Sequence, residues 1–238
     1  MTLDILRAAA RPATPWRNGG GVTREVATDG GTPFRWRLSL ADVAADGPFS
    51  AFDGYHRVIT LVRGAGMRLV VDGVPEVIDR PYRPFAFDGG AATECTLLGG
   101  PVVDFNVMST TPARVEVSSL TGDVPLPPGA VAVVLGGAAL LVGDGVVGSG
   151  GLGSLGSLGS LGGLGAVDLV GRLGVLLGEF DAVRAGAGLA LAPVPTGLGR
   201  AVAPVPTGFG LTTVAAGAGL ALAPVAAGGV VALVTFDA

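Results

Sequence analysis

FRWRLSLA, residues 34–41, alternates between two kinds of side chain. Phe34, Trp36, Leu38 and Leu40 fall on one face of an extended chain, and Arg35, Arg37 and Ser39 on the other, because successive side chains of a strand point to opposite sides. A period of two predicts a half-buried strand. RVITLVRGAGMRLVVDG (57–73) predicts two more strands joined at Gly64-Ala65-Gly66. VVDFNVM (102–108) predicts another, with Val103, Phe105 and Val107 opposite Asp104, Asn106 and Met108. VEVSSL, AVAVVL and AALLV continue the pattern around Gly-Gly, Pro-Pro and Asp-Gly breaks, and such short, regularly punctuated strands predict an all-β sandwich or barrel. The single helical candidate is a short stretch around residues 167–184.

The chain has 238 residues, room for one large β domain or two small ones. Its 15 basic residues are all arginine, which removes a phosphate-loop lysine, Schiff-base chemistry and a lysine general base together. One histidine and one cysteine exclude a His/Cys zinc site, a CxxC pair and an internal disulfide by count. A net charge of -4 leaves no electrostatic footprint for nucleic acid. Asp4, Arg7 and Arg11 interrupt the region where a signal peptide needs an apolar core, so a cytoplasmic protein is expected. The uncharged run 201–236 is broken by Pro204, Pro206 and Pro224, which argues against a membrane helix.

Mean hydropathy is +0.62, but that average belongs to neither half. Residues 1–120 hold 12 of the arginines and 10 of the 13 aromatics, whereas residues 121–238 hold 28 of the 42 glycines. Chemistry is therefore sought in the first half. SGGLGSLGSLGSLGGLGA (149–166) repeats Gly-Ser-Leu with period three, AGAGLALAPV occurs at 185–194 and 216–225, and APVPTG at 192–197 and 203–208. These copies indicate an insertion over about residues 145–215. Gly151, Gly153 and Gly156 match GxGxxG formally, but a repeat with glycine at every third place produces that match by construction, and a flexible linker is the expected reading.

PWRNGGGVTREV (15–26) is the most unusual local sequence. Gly19, Gly20 and Gly21 permit close backbone approach, and exposed amides there could receive an anion, with Trp16, Arg17 and Asn18 beside them. A tight turn with Trp16 closing the core is the equal alternative. His56 is expected to be a satisfied or solvent-facing imidazole rather than a ligand, and Cys95, in ECTLL, to pack as a small hydrophobe.

Three separated segments then carry a resemblance. PWRNGGGVTREV, WRLSLADVAADGPFSAFDGYHRVITLVRGAGMRL and GPVVDFNVM, in that order within about residues 3–120, resemble the HutD/Ves family of bacterial bicupins. The resemblance implies two cupin-type β-barrels in one chain, here residues 1–113 and 114–238, the second interrupted by the Gly-rich insertion and closed by LALAPV and GGVVALVTF. It also implies a link to histidine utilisation through binding of a small metabolite. Family members usually carry lysine where this chain has Arg17, a change that keeps the charge but not its geometry.

A cupin interior can be polar, so Arg37 and Ser39 on one strand and Asp104 and Asn106 on another are expected to line or brace a pocket with Trp16, Arg17, Asn18, Gly19, Gly20, Glu25 and Arg57. Arginine would pair with a carboxylate, asparagine would give directional hydrogen bonds, and Asp104 would hold a cationic nitrogen or fix an arginine. The plain alternative is a solvated Arg37–Asp104 pair on a barrel face. Metal catalysis of the cupin kind needs two or three histidines, so no metal and no cofactor are expected. The expected partner is a small carboxylate-bearing molecule, not nucleic acid or membrane, and a homodimer stays open. A binding protein is favoured. The alternatives are a metal-independent isomerase or hydrolase, in which His56 or Glu25 could do acid-base work, and a scaffold.

Overall fold

Alternation buries one face of a strand, but the central strands here bury both, because the sheets are stacked. The computed structural model describes residues 4–121, 124–143, 165–167, 173–184, 189–193 and 229–236. The strands of the first half are β1 (Asp4–Leu6), β2 (Thr14–Pro15), β3 (Gly21–Thr28), β4 (Trp36–Val43), β5 (Gly47–Pro48), β6 (His56–Arg63), β7 (Met67–Val71), β8 (Val74–Ile78), β9 (Pro84–Asp88), β10 (Thr93–Leu97) and β11 (Val102–Ser109). Then follow β12 (Ala113–Ser119), β13 (Val124–Leu126), β14 (Val131–Gly136), β15 (Ala139–Gly143), β16 (Gly165–Val167), β17 (Leu173–Leu177), β18 (Ala182–Arg184), β19 (Leu189–Pro193) and β20 (Val230–Phe236). Among the described residues the helical content is one 3-10 turn at Ala8–Ala10, and no helix is long and apolar enough to cross a membrane.

Among the described residues these strands form four antiparallel sheets, ordered β5-β10-β7-β8, β2-β3-β4-β11-β6-β9, β1-β18-β14-β20-β12 and β13-β19-β15-β17-β16. Among the described residues three apolar cores fill the gaps between successive sheets. Ile59, Leu61, Met67 and Leu69 pack between the four- and six-stranded sheets. Leu38, Phe105, Val107, Val133 and Val234 pack between the six-stranded sheet and the first five-stranded one. Ala132, Val134, Leu141, Leu177 and Val231 separate the two five-stranded sheets. Strand parity produces this layering: in β14, Val131, Val133 and Leu135 face one neighbour and Ala132 and Val134 the other.

The all-β expectation holds, and several finer ones change. The FRWRLSLA strand is enclosed on both faces rather than half-buried, with Leu38 fully buried and Ser39 only 3% exposed. Among the described residues the sheets are open at their edges and do not close into two barrels. The helical candidate at 167–184 instead contains β17 and β18. That segment also narrows the insertion: β18 lies within a sheet between β1 and β14, and Ala182 and Val183 are buried. The Gly-Ser-Leu run up to residue 164 and the LALAPV copy at 220–225 lie outside the described residues. GGVVALVTF supplies β20, between β14 and β12. β1 pairs with β18, so the first strand of the chain belongs to the sheet of the second half.

The Gly64-Ala65-Gly66 turn joins strands of different sheets, β6 and β7, and is a corner between layers rather than a hairpin. Gly66 has φ +112°, and a Cβ there would meet the Ile78 carbonyl oxygen at 2.5 Å. Gly66→Ala is therefore expected to cost about 1–3 kcal/mol of stability, read as a lower urea midpoint with an unchanged m-value.

Candidate functional site

The order β3-β4-β11-β6 places the sequence-predicted polar face on adjacent strands. Register then sorts it into rows. Met108 of β11 stands opposite Arg37 of β4 on one side and Arg57 of β6 on the other. One row further in, Asn106 stands between Ser39 and Ile59, and deeper still Asp104 stands between Ala41 and Leu61. The face thus runs from two guanidinium groups, through an amide, to a carboxyl 1% exposed.

A cavity of about 750 Å³ opens over the outer rows. Arg37, Ser39, Arg57, Asn106 and Met108 form its sheet wall, and the N-terminal loop contributes Trp16, Arg17 and Asn18. The third side is the segment PFSAF, residues 48–52. Its two phenyl rings grip the two arginines: the Arg57 guanidinium lies 4.9 Å from the Phe49 ring centre, and that of Arg37 lies 5.5 Å from Phe52. Phe34 and Phe87 pack on the same guanidinium groups at 4.9 and 5.4 Å. Such contacts are attractive for a partly desolvated cation. Trp16 meets Phe49 edge to face at 6.0 Å and donates from Nε1 to Thr23 Oγ1 at 2.8 Å, which ties the loop to the sheet.

Hydrogen bonds fix the inner rows. Arg57 donates from Nε and Nη2 to Asn106 Oδ1 at 3.1 and 2.8 Å, and Asn106 Nδ2 donates to Asp104 Oδ1. Arg37 donates from Nη2 to Met108 Sδ at 3.4 Å. Burial lowers the Arg57 pKa to about 10 against the pull of Asp104, with the like charge of Arg37 adding to the decrease. Burial also lowers that of Arg37, which Glu25 and Tyr55 oppose. Asp104 is pushed up to about 7 by burial, with Arg57 and the Asn106 hydrogen bond pulling the other way. Cys95 rises to about 12, again through burial.

The sequence-predicted residues therefore divide. Trp16, Arg17, Asn18, Arg37, Ser39, Arg57 and Asn106 converge on the cavity. Asp104 does not line it and forms no surface pair with Arg37; it sits behind Asn106. Glu25 is exposed on β3 and acts on Arg37 only through its field. Gly19 and Gly20 do not present free amides: Gly19 N donates to the Trp16 carbonyl at 3.1 Å and Gly20 N to Asn18 Oδ1 at 3.0 Å. The tight-turn alternative describes these glycines better, and at Gly21 a side chain would run into the Asp42 carbonyl. His56 is exposed and off the cavity.

Sequence reasoning missed Phe49, Phe52 and Met108. Met108 shares the Asp104/Asn106 parity and could have been found from it. The repeated Phe in PFSAF was the signal for the loop, but its packing on two arginines is non-local. A metal does not fit this site, because its charged lining groups are guanidiniums. Among the described residues no group of three or more His, Cys, Asp or Glu is placed to hold one.

An all-β protein with a cationic cavity in its first half is thus defined. The HutD family profile matches residues 8–135, more than half of the chain, and the chain belongs to the HutD family. A 21.2 kDa protein from the hutC 3′ region of Pseudomonas putida is 49% identical over 109 residues, 44% of this chain and 57% of that protein; the match thus spans little more than half of that relative. Protein Ves of Citrobacter koseri is 36% identical over 134 residues, 53% of this chain and 70% of Ves. Among solved structures, a conserved protein of unknown function from Pseudomonas aeruginosa PAO1 aligns with a TM-score of 0.63 at 27% identity, covering 98% of this chain and 97% of that one. HutD from Pseudomonas fluorescens SBW25 aligns with a TM-score of 0.56 at 24% identity, covering 98% of each.

Proposed function

We propose that the chain is a metal-free binding protein for a small carboxylate-bearing metabolite, with an accessory or regulatory role in histidine utilisation, carried on two cupin-type halves. The observation that supports it most is the charge of the cavity: Arg17, Arg37 and Arg57 line it and no carboxylate does. An anion would gain charge-assisted hydrogen bonds from guanidinium forks held in place by aromatic rings. Asn106 and Ser39 would read its remaining polar atoms. The family, and the naming of the P. putida relative from the region beside hutC, support the pathway assignment.

A thermal-shift screen of histidine, urocanate, formiminoglutamate, glutamate and formate tests this reading, repeated on Arg37→Ala and Asn106→Ala. At least one carboxylate is expected to raise the melting temperature of the native chain. Arg37→Ala is expected to weaken its binding by about tenfold, the loss of one charged hydrogen bond. Equal shifts in all three proteins would overturn the pocket. Conversion of urocanate or formiminoglutamate by the pure protein would instead decide for an enzyme.

A further inference from the structure

Asp104 has a role that its distance from the cavity hides. We propose that Asp104 is a proton-linked positioning residue: an anion seated on Arg57 favours the neutral form of Asp104, so ligand binding takes up a proton and strengthens as pH falls. This rests on the carboxylate reading above and adds to it a pH-dependent control of the same site.

The geometry is a three-member relay. Asp104 Oδ1 accepts from Asn106 Nδ2, and Asn106 Oδ1 accepts from both Nε and Nη2 of Arg57. Asp104 and Asn106 are 1% and 3% exposed, and Arg57 8%, so water screens little between them. Asp104 Oδ2, also buried, has no hydrogen-bond partner. An unpartnered oxygen suits a protonated carboxyl better than a carboxylate, whose charge needs donors on both oxygens. Asn106 keeps its acceptor in either state, so the relay survives protonation with its orientation intact.

Arg57 is the positive charge that Asp104 faces. A carboxylate entering the cavity would share that same guanidinium, placing two anions on one cation in a poorly screened site. Like charges so placed drive one of them to protonate. The ligand is held by further arginines, so Asp104 is the group that yields. The other groups acting around the relay work in known directions. Asp42 of β4, itself paired with Arg24 of β3, opposes ionisation of Asp104. Across the sheet gap, β10 presents the Cys95 thiol, kept neutral by burial, and β7 and β8 present the apolar Met67, Leu69 and Ile78. Arg37 of β4 and Glu25 of β3 act on the guanidinium pair at the rim. The carboxyl's pKa of about 7 places the transition within the neutral range.

Formate is a suitable probe, since it stays anionic throughout. Its affinity would be measured at pH 6, 7 and 8 through Trp16 fluorescence, with proton uptake at pH 7 followed by an indicator dye in weakly buffered solution. The expected result is proton uptake on binding and about a fivefold loss of affinity from pH 6 to pH 8, the share of a one-unit pKa coupling that falls within that window. Asp104→Asn is expected to bind with a flat profile and no uptake. Should that variant fail to fold, the carboxyl carbon resonance of Asp104 in the native protein serves instead, and its midpoint is expected to rise with saturating formate. Binding with a flat pH profile and no uptake in the native protein, or an unmoved midpoint, would overturn the linkage and leave the carboxylate reading standing. No binding at any pH would overturn both.

Discussion

Arg57→Met is expected to weaken carboxylate binding by about a hundredfold while the protein still folds. Methionine fills most of the space of the arginine stem and keeps contact with Phe49 and Phe87, which pack on the guanidinium at 4.9 and 5.4 Å. What it removes is the innermost cation of the cavity and both donors to Asn106 Oδ1. Losing a desolvated charged partner costs about 2–5 kcal/mol in binding, so a hundredfold loss lies near the lower end of that range. The stability cost is smaller, about 1–3 kcal/mol for the stranded amide oxygen, because a buried charge leaves as well. Asp104 also loses the opposite charge that favours its ionised form, so its carboxyl pKa moves further up. Arg57→Lys separates charge from shape: it keeps a cation but cannot make the two-point contact with Asn106, and should recover part of the affinity only. Titration of all three proteins with formate at pH 6, beside urea denaturation curves, checks this. Unchanged affinity in the methionine variant would remove Arg57 from the site.

The legible part of this molecule was its strand parity. Arg37 and Ser39 on one strand, and Asp104 and Asn106 on another, declared a polar face before any pairing was known, and the register of β4 and β11 brings the two together. Depth along that face was not legible. Nothing local separates Asn106, which touches the cavity, from Asp104, which lies beneath it, since both share a parity and a strand. PFSAF was missed as a wall because its rings are held by Arg37 and Arg57, which come from two different strands. In the second half the apolar run LGVLL was open to a helical reading because a short continuous run carries no period of its own. The pairing of β1 with β18 joins residues 4–6 to residues 182–184 and leaves no trace in either segment read alone.

That distant pairing gives the second large effect. Asp181→Ala is expected to lower stability by about 3 kcal/mol, or roughly 6–12 °C in melting temperature for a chain of this size, while formate binding by the folded variant is unchanged. Asp181 is 7% exposed and precedes β18 in the turn Gly178–Asp181. Its carboxylate accepts from Arg7 Nη1 at 2.7 Å, from Ala8 N at 2.8 Å and from Gly178 N at 3.1 Å, so one side chain ties the N-terminal segment to a turn about 170 residues away. The turn is held from other directions too. Phe180 N and the Asp181 carbonyl bond to Val134, Arg11 reaches the Phe180 carbonyl, and Arg63 of the neighbouring sheet packs on the Phe180 ring while pairing with Glu179. Alanine strands two backbone donors and takes a charged acceptor from Arg7; asparagine keeps a carbonyl oxygen and should recover about half of the loss. Hydrogen exchange locates the damage, with the Ile5 and Leu6 amides expected to lose protection before those of β11. The cavity lies on the far face of the six-stranded sheet from this turn, so a parallel loss of formate affinity would show that the two halves are coupled energetically rather than merely stacked.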